Sequence, residues 1–103
     1  MTTSGTLQKS IISKSYITYR LADDIIEDQK VLYIEHIEVD PSERGQGIAH
    51  KLMEIVEKKA KSMKIQAASY TSLHTNSDEE YSTMKHLYDV RGWVEAEEDT
   101  FIF

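Results

Sequence analysis

Cysteine is absent from the 103 residues, and proline and tryptophan occur once each. A chain without cysteine can form no disulfide, no thiolate nucleophile and no zinc-thiolate site. No apolar run approaches the roughly 20 residues that a membrane-spanning helix needs, and the first residues lack the apolar core of a signal peptide. These absences predict a soluble, unprocessed, cytoplasmic protein with no membrane partner.

Basic residues are also scarce. The chain has 12 lysines and arginines against 18 aspartates and glutamates, for a net charge of −6. Because nucleic-acid binding depends on clustered basic residues that neutralise phosphates, a nucleic-acid partner is not expected. His50, His74 and His86 show no metal-ligand spacing, so they are predicted to be exposed and no metal site is predicted.

The apolar pattern predicts the element order β-β-β-α-β-α-β-β. Residues 8–21 alternate as one or two half-buried strands, and residues 31–39 form the clearest strand. In that strand one face is predicted to carry Tyr33, Glu35, Ile37 and Val39. The first six residues are predicted to be a flexible N-terminus, followed by a single domain over residues 7–103.

Helical spacing of apolar residues from Ile48 to Met63 predicts an amphipathic helix. Its polar face is expected to carry the i,i+4 pairs Glu54 with Lys58 and Glu57 with Lys61. A short strand is predicted over 65–70. Further on, three signals predict a second helix and a terminal hairpin: a capping box of Ser77 and Glu80, Gly92 after the helix, and strands at 93–94 and 100–103.

A glycine turn joins the clearest strand to the first helix. The segment from Val39 to Ala49 contains Gly45 and Gly47, which let a ligand approach the backbone closely. The first amides of a helix lack intrahelical partners and lie at the positive end of the helix dipole. The turn is therefore a candidate phosphate site.

Two motifs resemble those of the GCN5-related N-acetyltransferases. In the glycine turn, Arg44, Gly47 and Ala49 match the family's acetyl-CoA motif, and Leu87 to Trp93 resembles its helix-to-strand signature. The likeness covers Val31 to the C-terminus. It implies a single acetyltransferase domain of α+β class, with a mixed, mostly antiparallel sheet, a splayed parallel strand pair and two main helices.

The resemblance implies that acetyl-CoA is the cosubstrate and that no metal is needed. Main-chain groups of Ile37, Glu38 and Val39 would bind the pantetheine arm as an added strand does. The pyrophosphate would be held by the amides of Arg44, Gly45, Gln46, Gly47, Ile48 and Ala49. The Arg44 side chain has two interpretations, since it could bind a phosphate or brace Asp40 or Glu43 within the turn.

Tyr88 occupies the position that the family gives to the general acid, which protonates the coenzyme A thiolate. The alternative is a core aromatic residue. Glu35 is the first candidate for the base, because a partly desolvated carboxylate is a stronger base. His36 and Glu38 are its rivals, and each of the three could equally be a polar group satisfied at the edge of the core.

Several positions depart from the family pattern. Fewer residues precede the central strands than in full-length members, so we expect an acceptor cleft that is open, completed by a second copy in a homodimer, or used for a larger partner. Ser69 stands where a compact subgroup carries cysteine, which excludes a thiol mechanism. Tyr81 stands where the family often has asparagine.

The leading hypothesis is an N-acetyltransferase in which an amine attacks acetyl-CoA directly. The acceptor would be a small-molecule or protein amine, and the acidic balance favours a cationic one. The alternative is a non-catalytic coenzyme A-binding or protein-interaction module on the same scaffold. A third interpretation is a structural α/β domain whose glycine turn binds nothing.

Overall fold

Strands and two helices follow one another in the predicted order, with one additional short strand at the N-terminus. This computed structural model describes residues 2–3, 6–24, 29–70, 78–97 and 100–103. The elements are β1 (Thr2–Thr3), β2 (Gln8–Ile12), β3 (Ser15–Asp24), β4 (Gln29–Glu38), a 3-10 helix (Pro41–Glu43), α1 (Ile48–Met63), β5 (Gln66–Tyr70), α2 (Asp78–Val90), β6 (Val94–Glu97) and β7 (Thr100–Ile102).

The described strands form one mixed sheet in the order β1-β3-β4-β5-β7-β6, and β2 also pairs with β3. Every neighbouring pair is antiparallel except β4 and β5, which run parallel. A parallel pair needs a crossover, and α1 provides it. The predicted α+β class, with one parallel pair in a mostly antiparallel sheet, is confirmed.

The two chain ends show how far the boundaries could be predicted. Thr2 and Thr3 pair with Asp23 and Ala22, although flexibility of residues 1–6 stays a prediction. At the other end, Gly92 has φ 85° just past α2, and β6 pairs with β7 as expected. Of the predicted capping box, Ser77 lies outside the described residues.

A β-bulge in β4 is the irregularity that matters for the site. Pairing with β3 moves from Thr18↔His36 to Tyr19↔Ile34, which leaves Glu35 as the extra residue in β4. An extra residue in one strand reverses which face the following side chains occupy.

The bulge makes the predicted face of this strand wrong. Ile37 was expected to share a face with Tyr33, but it is buried with Ile34 in the main core. Tyr33 instead belongs to a second cluster that includes Val31. Strict alternation from 31 to 39 fails because the strand contains one more residue than its partner at Glu35.

The main core lies between the sheet and both helices. α1 contributes a stripe of fully buried side chains, and α2 contributes Leu87 and Tyr88. The fully buried members of α1 are Leu52, Met53, Val56 and Ala60. Since apolar burial contributes about 25 cal/mol per Å², this stripe supplies most of the stability of α1.

The predicted polar face of α1 is only partly correct. The Glu54–Lys58 ion pair is confirmed, with 2.8 Å between Oε1 and Nζ. The predicted Glu57–Lys61 pair is wrong, because the Glu57 carboxylate is buried and binds Arg91. The Lys59 ammonium donates a hydrogen bond to the Gln8 side chain of β2.

Candidate active site

The glycine turn leads from β4 through the 3-10 helix into α1. Gly45 has φ 78° and Gly47, the N-cap of α1, has φ 76°. The positive φ favours glycine at both positions. A Cβ atom on either glycine would meet no atom within 4 Å, so the space above the turn is open.

The first turn of α1 presents free amide groups. The first intrahelical bond runs from the Lys51 amide to the Gly47 carbonyl, at 3.2 Å. The preceding amides of Ile48, Ala49 and His50 therefore have no carbonyl to bind within the helix. Together with the exposed residues 44–47, they make up the candidate phosphate site, and anion binding there stays a prediction.

A hydrogen-bonded support holds this turn from below. The buried Ser15 hydroxyl donates to Glu43 Oε1 and accepts from the Asp40 amide, both at 2.9 Å. Glu43 Oε1 also accepts from the Lys14 amide at 2.9 Å. The β2–β3 hairpin thus fixes the start of the turn, a role that sequence reasoning missed because the partners are far apart in the chain.

The two carboxylates of the turn accept their hydrogen bonds from neighbours other than Arg44, whose charge makes only a minor contribution at Asp40. Hydrogen bonds from Ser42 lower the pKa of Asp40, and a hydrogen bond from Ser13, followed by that from Ser15, lowers the pKa of Glu43. Arg44 forms no ion pair with another described residue, and its side chain is exposed. This arrangement favours the phosphate interpretation of Arg44 over the bracing one.

Strands β4 and β5 separate next to the turn. Their pairing runs from Val31↔Gln66 to Ile34↔Ser69. β4 then continues to Glu38, and among the described strands only β3 pairs with this part of it. Each strand offers main-chain groups on both sides. Ile37, Glu38 and Val39, predicted to bind the pantetheine arm, lie on this continuing part of β4 and its exit.

Tyr88 lies in the core beside the point of separation. Its ring is fully buried and stacks on Phe101, with 5.0 Å between ring centroids. Its hydroxyl oxygen is 2.6 Å from that of Ser69, which is the last residue of β5 paired with β4. Burial raises the pKa of Tyr88, so the phenol stays protonated at neutral pH.

The Ser69 and Tyr88 hydroxyls carry two O–H donors, but the hydrogen bond that joins them uses only one. One O–H lies in the Ser69–Tyr88 hydrogen bond, and the second O–H finds no acceptor among the described residues. Both interpretations of Tyr88 fit in part, since it is a core aromatic residue and also one of two residues sharing a spare donor.

The base candidates occupy different surroundings. Glu35, at the bulge, pairs with Arg20, with 2.8 Å between Oε1 and Nε and about a third of each side chain exposed. His36 Nε2 lies 3.1 Å from Glu38 Oε2. A carboxylate only accepts, so Nε2 donates in this contact and Glu38 orients the His36 ring.

A buried charge cluster was missed from the sequence. Glu57 accepts hydrogen bonds from Arg91 and from the Trp93 indole. A signal was present, because Glu57 follows Met53 by four residues and precedes Ala60 by three, which places it on the apolar stripe. Arg91 Nη1 also lies 3.2 Å from His50 Nδ1.

Other predicted features can be placed briefly. His86 is exposed, whereas His74 lies outside the described residues. In the part of the chain that the structure describes, no group of three or more His, Asp or Glu side chains could hold a metal ion. Neither described helix has the length and apolar character needed to cross a bilayer.

Comparison with known proteins assigns the family. A sequence model of the acetyltransferase (GNAT) family matches residues 15–99, most of the chain. The chain belongs to this family. GNAT proteins use acetyl-CoA, so acetyl transfer from acetyl-CoA is the general activity of the family to which this fold belongs. No curated protein matches the chain significantly by sequence.

Solved structures show the same GNAT fold at low sequence identity. The anti-CRISPR protein AcrVA5 has a TM-score of 0.74 and 18% identity, with 94% of this chain and 97% of that chain covered. A chain of the NatC complex bound to Gag peptide and CoA has a TM-score of 0.68 and 21% identity, with 86% and 59% covered. A putative acetyltransferase from Agrobacterium tumefaciens has a TM-score of 0.61 and 18% identity, with 98% and 73% covered.

Proposed function

We propose that this GNAT protein is an N-acetyltransferase in which an amine attacks acetyl-CoA directly. The observation that carries the proposal is the continuity of the site. β4 leaves β5 at the Ile34↔Ser69 pair and runs on into the glycine turn, whose amides are free. An extended cofactor arm ending in a pyrophosphate fits this combination of an open strand edge and an anion site.

Each part of acetyl-CoA has a proposed partner. Main-chain groups from Ile37 to Val39 bind the pantetheine arm, and the amides from Arg44 to Ala49 bind the pyrophosphate. The exposed Arg44 guanidinium adds a charge-assisted contact to a phosphate. The thioester then lies toward the Ser69–Tyr88 pair, at the point where the two strands part.

The reaction needs one base and one proton donor. The base takes a proton from the ammonium form of the acceptor, and the neutral amine nitrogen then bonds the carbonyl carbon. As the carbon–sulfur bond breaks, the nitrogen loses its second proton to water, which leaves a neutral amide; the proton given up by the acid is later restored from water. The departing thiolate takes the spare O–H proton of the Ser69–Tyr88 pair, with Tyr88 as the acid. None of these steps calls for a metal.

The contacts favour His36 over Glu35 as the base. The Glu35 carboxylate is held in an ion pair with Arg20, whereas Glu38 orients the His36 ring through Nε2. Glu35, the first candidate from the sequence, stays a prediction, and Glu38 takes an orienting role.

The acceptor is proposed to be a small-molecule or protein amine of positive charge. The net charge of −6 attracts cations at long range and repels nucleic acids. The NatC structure was determined with a peptide, which agrees with a protein acceptor in that relative. A cytoplasmic location and a homodimer remain predictions.

One observation favours the alternative of a non-catalytic coenzyme A-binding module. Tyr88 is fully buried, with its ring between Phe101 and Trp93, so a purely structural role would explain its contacts. Such a module would keep the glycine turn and bind coenzyme A without releasing thiol.

Two measurements separate these functions. Calorimetric titration with coenzyme A tests the anion site, and free-thiol release from acetyl-CoA with a panel of polyamines, aminoglycosides and peptide amines tests transfer. We expect binding together with thiol release for at least one cationic amine. Binding without release across the panel would support the non-catalytic module, and no binding at millimolar coenzyme A would overturn both.

A further inference from the structure

The buried carboxylate of Glu57 on α1 is fully occupied by two residues that follow α2. Arg91 Nε and Nη2 each donate to it at 2.6 Å, and the Trp93 indole donates at 2.9 Å. The Glu57 residue is only 6% exposed. We call Glu57, Arg91 and Trp93 the clamp.

The clamp residues also hold the backbone of Tyr88. The amides of Arg91 and Trp93 both donate to the Tyr88 carbonyl, at 3.2 and 3.0 Å. The Trp93 ring lies against the Tyr88 ring, with centroids 5.0 Å apart. Any movement of the clamp therefore moves the proposed acid.

At its other end the clamp reaches the proposed pyrophosphate site. Glu57 is part of α1, the helix whose first turn offers the free amides. Arg91 Nη1 is 3.2 Å from Nδ1 of His50, whose own amide belongs to that first turn. A single guanidinium thus contacts the start and the middle of α1 while its backbone fixes the end of α2.

The Glu57–Arg91 ion pair is expected to fix the geometry of the clamp more than to stabilise the fold. A buried ion pair contributes little net stability, because desolvation of both charges offsets their attraction. Bidentate arginine contacts nevertheless fix orientation closely. An apolar pair of similar volume would pack α1 against α2 without holding Tyr88 at one defined position.

We propose that Glu57 is a positioning residue, which sets the distance between the Tyr88 hydroxyl and the glycine turn. The thioester end of the cofactor arm can then reach Tyr88 while its pyrophosphate end is bound at the turn. This proposal rests on the proposed acetyl transfer. Glu57 touches neither cofactor nor acceptor and acts through Arg91 and Trp93.

The test compares Glu57→Gln with Glu54→Gln. Glu54 lies on the exposed side of the same helix and pairs with Lys58, so its variant is a matched control. We expect Glu57→Gln to lower kcat about 10- to 100-fold, as small misplacements do, with KM for acetyl-CoA within about twofold of wild type. Glu54→Gln should change neither.

A double variant separates positioning from general damage. If Glu57 acts through Tyr88, Glu57→Gln combined with Tyr88→Phe should be no slower than Tyr88→Phe alone. Losses that multiply in the double variant, or an unchanged kcat in folded Glu57→Gln, would overturn the proposal.

A measurement without catalysis distinguishes failure of the clamp from failure of the proposed function. In carbon-13 tyrosine NMR, the Tyr88 ring signal reports the nearby Trp93 and Phe101 rings. Glu57→Gln should move this signal toward that of a free tyrosine, while Glu54→Gln should leave it in place. Arg91→Lys, which keeps both neighbouring rings but loses the two-point contact to Glu57, serves if Glu57→Gln does not fold. An unmoved signal in both clamp variants would overturn the positioning role even if the wild type transfers no acetyl group.

Discussion

The Tyr88 hydroxyl oxygen lies 2.6 Å from the Ser69 hydroxyl oxygen, and neither residue is exposed. Ser69 is also the last residue of β5 paired with β4, opposite Ile34. The pair therefore lies where β4 and β5 separate. In our proposal its spare O–H is the proton donor at this separation.

Replacing Tyr88 by phenylalanine tests this donor. We expect turnover to fall by about 10²–10⁴, the usual contribution of general acid catalysis, with coenzyme A affinity retained. Ser69→Ala is the matched control, because either change leaves one buried hydroxyl without its partner, at a cost of about 1–3 kcal/mol in unfolding free energy. Stability should drop similarly in both, while Tyr88→Phe loses more turnover. Equal turnover of the two variants would remove Tyr88 from the mechanism.

Backbone conformation at Gly47 gives a second prediction. Alanine at φ 76° costs about 1–2 kcal/mol in left-handed strain, and its methyl group would project into the open space above the turn. We expect Gly47→Ala to weaken coenzyme A binding about tenfold or more, which corresponds to about 1.4 kcal/mol. Gly92→Ala is the control, since Gly92 has φ 85° and equally open surroundings away from the turn. We expect the two variants to lose similar stability, and calorimetry should show that only Gly47→Ala loses affinity for coenzyme A. Equal coenzyme A affinities of the two variants would contradict a ligand at this turn.

Arg44 offers a test of electrostatics. Because its side chain is exposed, Arg44→Gln should weaken coenzyme A binding only about two- to fivefold, consistent with about 0.2–1 kcal/mol for an exposed pair. The difference should shrink as salt increases. Lys85→Gln removes the same charge from α2, where Lys85 pairs with Glu95, and should leave binding unchanged. An equal effect of both variants would indicate net charge rather than a phosphate contact.

Local patterns predicted α1 and the glycine turn well. The apolar spacing and Gly47 placed the helix at Ile48 to Met63, as observed, because both signals depend on residues within one or two turns. The family resemblance was confirmed for a similar reason, since each of its two motifs is contiguous in the sequence. The mixed sheet, which the resemblance implied, was confirmed with it. Gly92 likewise marked the end of α2 by its own conformation.

Features that depend on distant partners could not be predicted. The bulge at Glu35 exists only in the pairing of β3 with β4, and it reversed the faces after Ile34. Glu57 is buried because Arg91, far along the chain, neutralises it. The Ser15 support of Glu43 likewise joins two segments that no local pattern connects.

Two variants identify the base. We expect His36→Gln to lower turnover about 10²–10⁴-fold and to remove the low-pH limb of the pH–rate profile, because glutamine cannot accept the proton. Glu35→Gln should have a smaller effect that keeps the limb, since its carboxylate is engaged by Arg20. The reverse order, with the limb lost only in Glu35→Gln, would establish Glu35 as the base.

Acid sensitivity of the turn follows from Glu43. Its pKa is lowered in the folded state by hydrogen bonds from Ser13, Ser15 and the Lys14 amide. A carboxyl whose pKa is lower when folded contributes stability that is fully present above its ordinary value of 4.5 and is lost as pH falls through the folded value. Urea unfolding between pH 7 and pH 3 should therefore show Glu43→Gln as less stable than wild type at pH 7, with the difference shrinking below the ordinary value. Ser15→Ala, which removes one of the donors, should show a smaller change of the same sign. A constant difference across this range would mean that Glu43 does not hold the turn through its charge.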